Sequence, residues 1–324
     1  MMKTLLWTLI FICGQVWAQQ GNVSNIYEQK IHQEKHSNLP ILSSKQKEDI
    51  TQKYKILFVP GVLGDIYMQT GLLEYFHEHI RWLEKDLGLK KDINFEIVPI
   101  NTQAPLRESI PVVANSIAKS DRPVIIISHS MGGLNSFYTL IENPELQDKV
   151  AGLVTIQTPF RGSHVADQIA DSYCLKNLSW LFLKSVGGSL ETLMDLTSKV
   201  REEKLNEVIA GKKLQDLLKK VVLLNVASSV SDKDSQGFHD LNSLITTLPF
   251  IGGLNPNSVP NDGLVSIKSA IIHPDIDHII IDGIDHIDPI SPNFSVTKEK
   301  NFNRIDFFKT LLSLILESVA INKI

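Results

Sequence analysis

Cysteine is scarce in this chain of 324 residues: there are two, Cys13 and Cys174. Cys13 lies in an apolar N-terminal segment, so loss of that segment leaves one thiol and no internal disulfide. A disulfide framework is thereby excluded, and the fold must rely on a hydrophobic core. Cys174, in DSYCLKNL, reads as a small packed residue rather than a nucleophile. Charge imbalance is lacking too. Lys and Arg number 32 against 36 Asp and Glu, a formal charge of −4, which gives no reason to expect nucleic acid or an anionic membrane surface as partner. The apolar run from Leu5 to Cys13 is short for a bilayer span. It follows a single lysine and precedes Val16-Trp17-Ala18, the pattern of a secretory signal (residues 1–18) cleaved after Ala18. An uncleaved anchor is the alternative. Ile12 is too bulky for a lipoprotein cysteine at Cys13. Cleavage removes Lys3 and no acid, taking the charge from −4 to −5.

What is present is ordinary globular composition, 43% hydrophobic and 21% charged, enough for a sizeable core. Residues 19–52 are polar and charged and read as a loosely ordered lead or one peripheral helix. From residue 53 to 324 the chain reads as a single α/β domain. Strands are expected at Ile56–Val59, Phe95–Ile100, Val124–Ile127, Val150–Ile156, Val221–Ala227 and His278–Ile281. Helices fit at Leu72–Leu87, Leu106–Ala118, Leu134–Ile141 and Phe302–Val319. Continuous apolar strands separated by helical segments predict a mostly parallel sheet covered on both faces. Between Ile156 and Val221 no strand is convincing. Amphipathic segments there, about residues 163–218, predict a helical cap over the C-terminal strand ends, apolar around Leu178–Val186; a core helix pair is the plainer reading. The charged run Lys199–Lys220 reads as a solvated helix face.

Within this pattern, Val124–Gly133 (VIIISHSMGG) is a buried strand running into a tight turn, with LNSFYTLI at helical spacing behind it. Strand, turn and helix make Ser130 a nucleophile held on a strained elbow, and such backbone needs small neighbours, here Ser128 and Gly132. A serine hydroxyl needs a base to take its proton and an acid to fix the base's tautomer, and the two follow in the order Ser, Asp or Glu, His. His129 is adjacent, but neighbouring side chains on an elbow diverge. Of the later histidines, His164 falls in the insertion, His239 and His273 precede no suitable strand end, and His278 starts a strand at the wrong edge. His286, in IIIDGIDHIDP, follows the last strand and is the expected base. For the acid, Asp262 sits in the tight turn Asn-Asp-Gly, with Asp232 and Asp234 as rivals. The first strand ends FVPGVLGD, where Pro60-Gly61 lets the backbone approach a substrate, so that the Val62 amide joins that of Met131 as an oxyanion hole.

At FVPGVLG, ISHSMGGL, TPFRGSHVAD, NDGLVSIKSA and DHID, the chain resembles the secreted bacterial true lipases, calcium-dependent triacylglycerol lipases of the α/β-hydrolase fold. The resemblance spans roughly Ile56 to Asp288. It implies Asp262 as the acid and His286 as the base, and makes TPFRGS the lead into a mobile lid. It implies no organic cofactor, but a structural calcium held by two aspartates, matched here by Asp240 and Asp288. The chain departs from the pattern in three ways. Pro60-Gly61 replaces the usual His-Gly, as in hydrolases of the lecithin–cholesterol acyltransferase type. Pro289 and Pro292 stand where neighbours of the metal are expected, and Lys268 where a cysteine is common. The resulting expectation is an exported hydrolase of lipid carboxylic esters that touches lipid surfaces through its cap. A phospholipase or acyltransferase is the enzymatic alternative, and an inactive lipid-binding protein the non-enzymatic one.

Overall fold

Apolar runs rich in β-branched residues, clearest in VIII of 124–127 and VAGLVTI of 150–156, are suited to strands covered on both sides. The computed structural model describes residues 21–37, 39–62, 75–171, 189–230, 260–292 and 302–322. Among these, the strands are β1 (Lys55–Val59), β2 (Phe95–Ile97), β3 (Val124–His129), β4 (Val150–Ile156), β5 (Val222–Ser229) and β6 (His278–Asp282). They lie in the order β2-β1-β3-β4-β5-β6, with every pairing parallel. The described helices are α1 (Ser24–Ser37), α2 (Ser44–Glu48), α3 (His77–Asp86), α4 (Leu106–Lys119), α5 (Met131–Glu142), α6 (His164–Asp171), α7 (Leu190–Met194), α8 (Ser198–Ala210), α9 (Lys213–Leu218), α10 (Ile267–Ala270) and α11 (Arg304–Ile321).

Successive strand residues point to opposite faces, and the core divides accordingly. Ile56, Phe58, Ile125 and Ile127 join the face covered by α1, α3 and α11. Leu57, Val59, Val124 and Ile126 join the face covered by α4, α5, α8 and α9. On the first face Phe58 is enclosed by Phe76, Phe95 and Phe308, with ring centroids 5.0, 6.5 and 5.8 Å away. Such pairs each add about 0.5–1.5 kcal/mol beyond simple burial.

The topology also fixes where a ligand can sit. From β1 the chain winds to β2 on one side, then crosses back to β3 on the other. The reversal lies at the carboxyl ends of β1 and β3, the place where open α/β sheets bind ligands.

The structure adjusts several expected boundaries. β2 stops at Ile97 instead of Ile100, since Pro99 has no N–H to offer the ladder. The helix expected from Leu134 starts at Met131, because Met-Gly-Gly continues the turn without apolar periodicity. The polar lead is more firmly held than its composition suggests. Val23, Tyr27, Leu42 and Ile50 are buried, and Val23 N–H donates to His278 O at 2.9 Å while His278 N–H donates to Gly21 O at 2.7 Å. The lead thus covers the open edge of β6, which would otherwise present unpaired backbone groups. The insertion proves to be of two kinds. Leu205, Val208, Leu214 and Leu217 of α8 and α9 share a core cluster with Leu134, Phe137 and Tyr138 of α5, so residues 198–218 belong to the body rather than to a cap. The apolar stretch Leu178–Val186 lies outside the described residues, as do Cys174, residues 1–18, Asp232, Asp234, His239 and Asp240.

Candidate active site

Ser130 stands where the end of β3 turns into α5. Its backbone adopts φ 53°, ψ −130°, a conformation that costs an L-residue on the order of 1–3 kcal/mol and persists only where the surroundings enforce it. Enforcement comes from close packing. A Cβ at Gly132 would overlap the carbonyl oxygens of Val59 and Pro60, and one at Gly133 would overlap the Thr158 side chain. The α5 N-terminus can therefore press against the end of β1. Ser128, one of the small residues expected beside the elbow, is fully buried and donates its hydroxyl to Val154 O at 2.8 Å. Ser130 N–H is held by Ile156 O at 2.8 Å, which ties the turn to β4.

The proposed oxyanion donors fall beside this turn. β1 and β3 pair in a register that sets Val59 opposite Ser128, and Gly61 then abuts Ser130, a Cβ on it reaching within 2.7 Å of the Ser130 Cβ. Val62 follows Gly61. Met131 is the first residue of α5, so its N–H has no partner within the helix and lies at the positive end of the helix dipole.

Asp262 and His286 form a direct pair. His286 Nδ1 lies 2.8 Å from Asp262 Oδ2, and His286 N–H donates to Asp262 O at 3.0 Å. The other carboxylate oxygen, Oδ1, accepts the Leu264 and Val265 amides at 2.9 and 2.7 Å, which fixes the carboxyl in its turn. Gly263 has φ 101° in that turn, the left-handed region that suits glycine. Both partners are almost fully buried, at 2% and 5% exposure. A carboxylate only accepts, so in the neutral ring Nδ1 carries the proton and Nε2 is left to accept one. The acid turn is brought to the end of β5 by Val230 N–H donating to Asn261 O at 2.8 Å. Among the described residues no hydrogen bond joins Ser130 to His286; in ligand-free sites such bonds are often long and close only when substrate is present.

Two residues outside the expected set stand beside these. Tyr75 accepts the Gly61 N–H at 2.7 Å and lies 2.5 Å from His129 Nδ1. Gln157, at φ 51° and fully buried just past β4, reaches His129, Ser228 and the Asp285 carbonyl. No local pattern marks Tyr75. Gln157 sits at a strand end immediately before TPFRGS, a position that could have drawn attention. That motif works as a brace: Ser163 Oγ donates to Leu264 O at 2.7 Å in the acid turn, and Asp167 accepts Ser198 N–H at 2.7 Å at the start of α8.

The remaining expected residues fall outside the pair. His164 and His273 lie beside Asp167 and Asp275, and His278 opens β6 at the other edge. For calcium, Asp288 does not present an open ligand face. Its Oδ2 accepts the Asp285 amide at 2.9 Å, and its Oδ1 faces the Arg304 guanidinium at 3.5 Å. A cationic side chain already stands against this carboxylate, and among the described residues no cluster of three His, Cys, Asp or Glu could hold a metal. Asp288, the described one of the two expected aspartates, is thus engaged by protein groups, while Asp240 lies outside the described residues.

Comparison with known proteins bears on the fold. A family model described as a PGAP1-like alpha/beta domain matches residues 106–261. No curated protein matches the chain by sequence. Among solved structures, the metagenomic carboxyl esterase MGS0156 superposes with a TM-score of 0.63 at 18% identity, over 83% of this chain and 77% of that one. The mature Bacillus licheniformis lipase BlEst2 gives a TM-score of 0.56 at 20% identity, over 80% of this chain and 92% of that one. Phospholipase PlaB from Legionella pneumophila gives 0.53 at 13% identity, over 84% and 64%. These likenesses reach the general architecture and stop short of the calcium-dependent true lipases. With its six parallel strands and serine elbow, the chain has the α/β-hydrolase fold.

Proposed function

We propose that the chain is an exported serine hydrolase that cleaves carboxylic esters of lipids. The observation that carries this reading is the buried His286–Asp262 pair at 2.8 Å, tied through the His286 carbonyl to His129, the neighbour of a serine in strained backbone. An esterase, a lipase and a phospholipase among proteins of like fold support the same class of substrate. In the reaction, Ser130 Oγ attacks the ester carbonyl as His286 Nε2 takes its proton. Negative charge develops on the carbonyl oxygen, where the Val62 and Met131 amides stabilise it. Collapse expels the alcohol, which receives the proton from His286, and leaves an acyl group on Ser130. Water, deprotonated by the same histidine, then releases the acid. Asp262 holds the imidazole in the required tautomer and offsets the charge it gains.

Export rests on the N-terminal signal pattern, and contact with lipid surfaces on the apolar stretch around Leu178–Val186. Pro60-Gly61 in place of His-Gly favours a second reading, transfer of the acyl group to an acceptor other than water on the same triad. Fluorophosphonate labelling tests the core of the proposal. The folded protein is expected to take one adduct at Ser130, with none on Ser130→Ala, and absence of labelling would remove the enzymatic reading. Hydrolysis of a panel of triacylglycerols, phospholipids and short esters then separates the substrate classes.

A further inference from the structure

His129 is fully enclosed, adjoins the nucleophile, and has no step of its own in the proposed reaction. Its hydrogen bonds are all accounted for. Nε2 lies 2.9 Å from the His286 carbonyl oxygen and 3.1 Å from Gln157 Oε1. The orientation of the Gln157 amide is fixed independently, because its nitrogen is 2.8 Å from the Asp285 carbonyl, which can only accept. Both neighbours of His129 Nε2 are thus acceptors, and this nitrogen must carry the hydrogen. In a neutral ring Nδ1 is then an acceptor, so Tyr75 donates its hydroxyl hydrogen to it while accepting the Gly61 N–H. The result is a single directed chain of hydrogen bonds: Gly61 N–H to Tyr75 O, Tyr75 O–H to His129 Nδ1, and His129 Nε2–H to His286 O.

We propose that His129, locked as the Nε2–H tautomer, is a positioning residue that joins the oxyanion turn to the loop carrying the catalytic base. At one end the chain grips Gly61, the residue before the Val62 amide. At the other it grips the carbonyl of His286, whose own N–H is bound to Asp262 at 3.0 Å. The His286 backbone is therefore held on both sides of its side chain. Gln157 secures the preceding residue through the Asp285 carbonyl and carries the link on to Ser228 in β5. Burial, and then the neighbouring His286, push the His129 pKa far below its ordinary value, so the ring stays neutral while His286 is charged during turnover. The two rings lie 4.7 Å apart, and a charged His129 would oppose that proton transfer.

This inference rests on the triad reading, and one set of variants tests them separately. His129→Phe keeps a ring but removes all three hydrogen-bond contacts, whereas His129→Gln places an amide N–H near the position of Nε2. Tyr75→Phe deletes one oxygen. With a short 4-nitrophenyl ester, His129→Phe is expected to lose roughly 10–100-fold in kcat with KM within about twofold, the scale seen when a group orienting an essential residue is removed. His129→Gln should recover most of that loss. Wild-type kcat in a folded His129→Phe protein overturns the proposal, and so does a His129→Gln protein no more active than His129→Phe at equal Tm. Where His129→Phe does not fold, Tyr75→Phe decides: lowered kcat with a nearly unchanged Tm supports the proposal, and unaltered kcat overturns it. Ser130→Ala serves as the control, for if it retains activity the triad itself is wrong.

Discussion

The end of β3 and the loop after β6 carry the two side chains proposed to react, Ser130 and His286, yet they hold them by different means. At β3 the holding groups are backbone. Ser130 is forced to φ 53°, Gly132 and Gly133 admit the Val59 and Pro60 carbonyls and the Thr158 side chain, and the proposed donors for the oxyanion are main-chain amides. After β6 the holding groups are side chains. Asp262 accepts from His286 and two amides, Asp285 accepts the Ile287 and Asp288 amides at 2.8 Å each, and Asp288 closes the turn back on Asp285. Side-chain identity is thus almost irrelevant to the proposed oxyanion donors and decisive for the proposed base. The first half should fail when an atom is added, the second when a charge or an acceptor is taken away.

The largest expected effect breaks the second half without touching the fold. In Asp262→Asn the amide oxygen would stay with the Leu264 and Val265 N–H groups, turning the NH₂ toward His286 Nδ1. That nitrogen must then accept, so the proton moves to Nε2, where it blocks the attack of Ser130. A loss of about 10⁴-fold in kcat is expected, with stability within about 1 kcal/mol. Gly132→Ala tests the first half. Its Cβ would collide with main-chain oxygens that cannot swing aside as a flexible side chain would. A loss of about 3 kcal/mol in denaturant unfolding is expected, with activity falling in parallel. If Asp262→Asn unfolds the protein, or Gly132→Ala is silent, the contrast between the two halves is wrong.

The same division explains what the sequence made legible. Elements whose signal is local were found: β4 runs from Val150 to Ile156 as its apolar run predicts, and Ser130 was marked by the change from strand to helical periodicity. Asp262 and His286 followed from chain order, turn chemistry and the family motifs, and the pair is in contact. Long-range contacts were not legible. Ser24 Oγ accepts the Ile280 amide across 256 residues, and no feature of a polar N-terminal segment announces that it will cover a sheet edge. Tyr75 and Gln157 were missed for the same reason: their worth lies in partners that only the fold brings near. For His129, the use as a donor to His286 O depends on a loop 157 residues away.

The smallest effect concerns the cation that steadies the His286 loop. The Arg304 guanidinium lies 3.5 Å from Asp288 and 3.7 Å from Glu78, so one side chain from the start of α11 joins the loop to α3. Asp288 is 2% exposed, and a carboxylate at such depth is costly without a cation near it. A bound calcium would compete with Arg304 for the same oxygen. Chelation or added calcium is therefore expected to leave Tm unchanged, and a lower Tm in chelator would return the metal to this loop. Arg304→Met should cost about 2 kcal/mol, mostly because it strands the Asp288 charge. Adding Asp288→Asn removes that charge while keeping an acceptor for the Asp285 amide, so the double variant should be more stable than Arg304→Met alone. If the two substitutions simply add, the guanidinium is packing material and the loop draws its order from Asp285 and Asp262 alone.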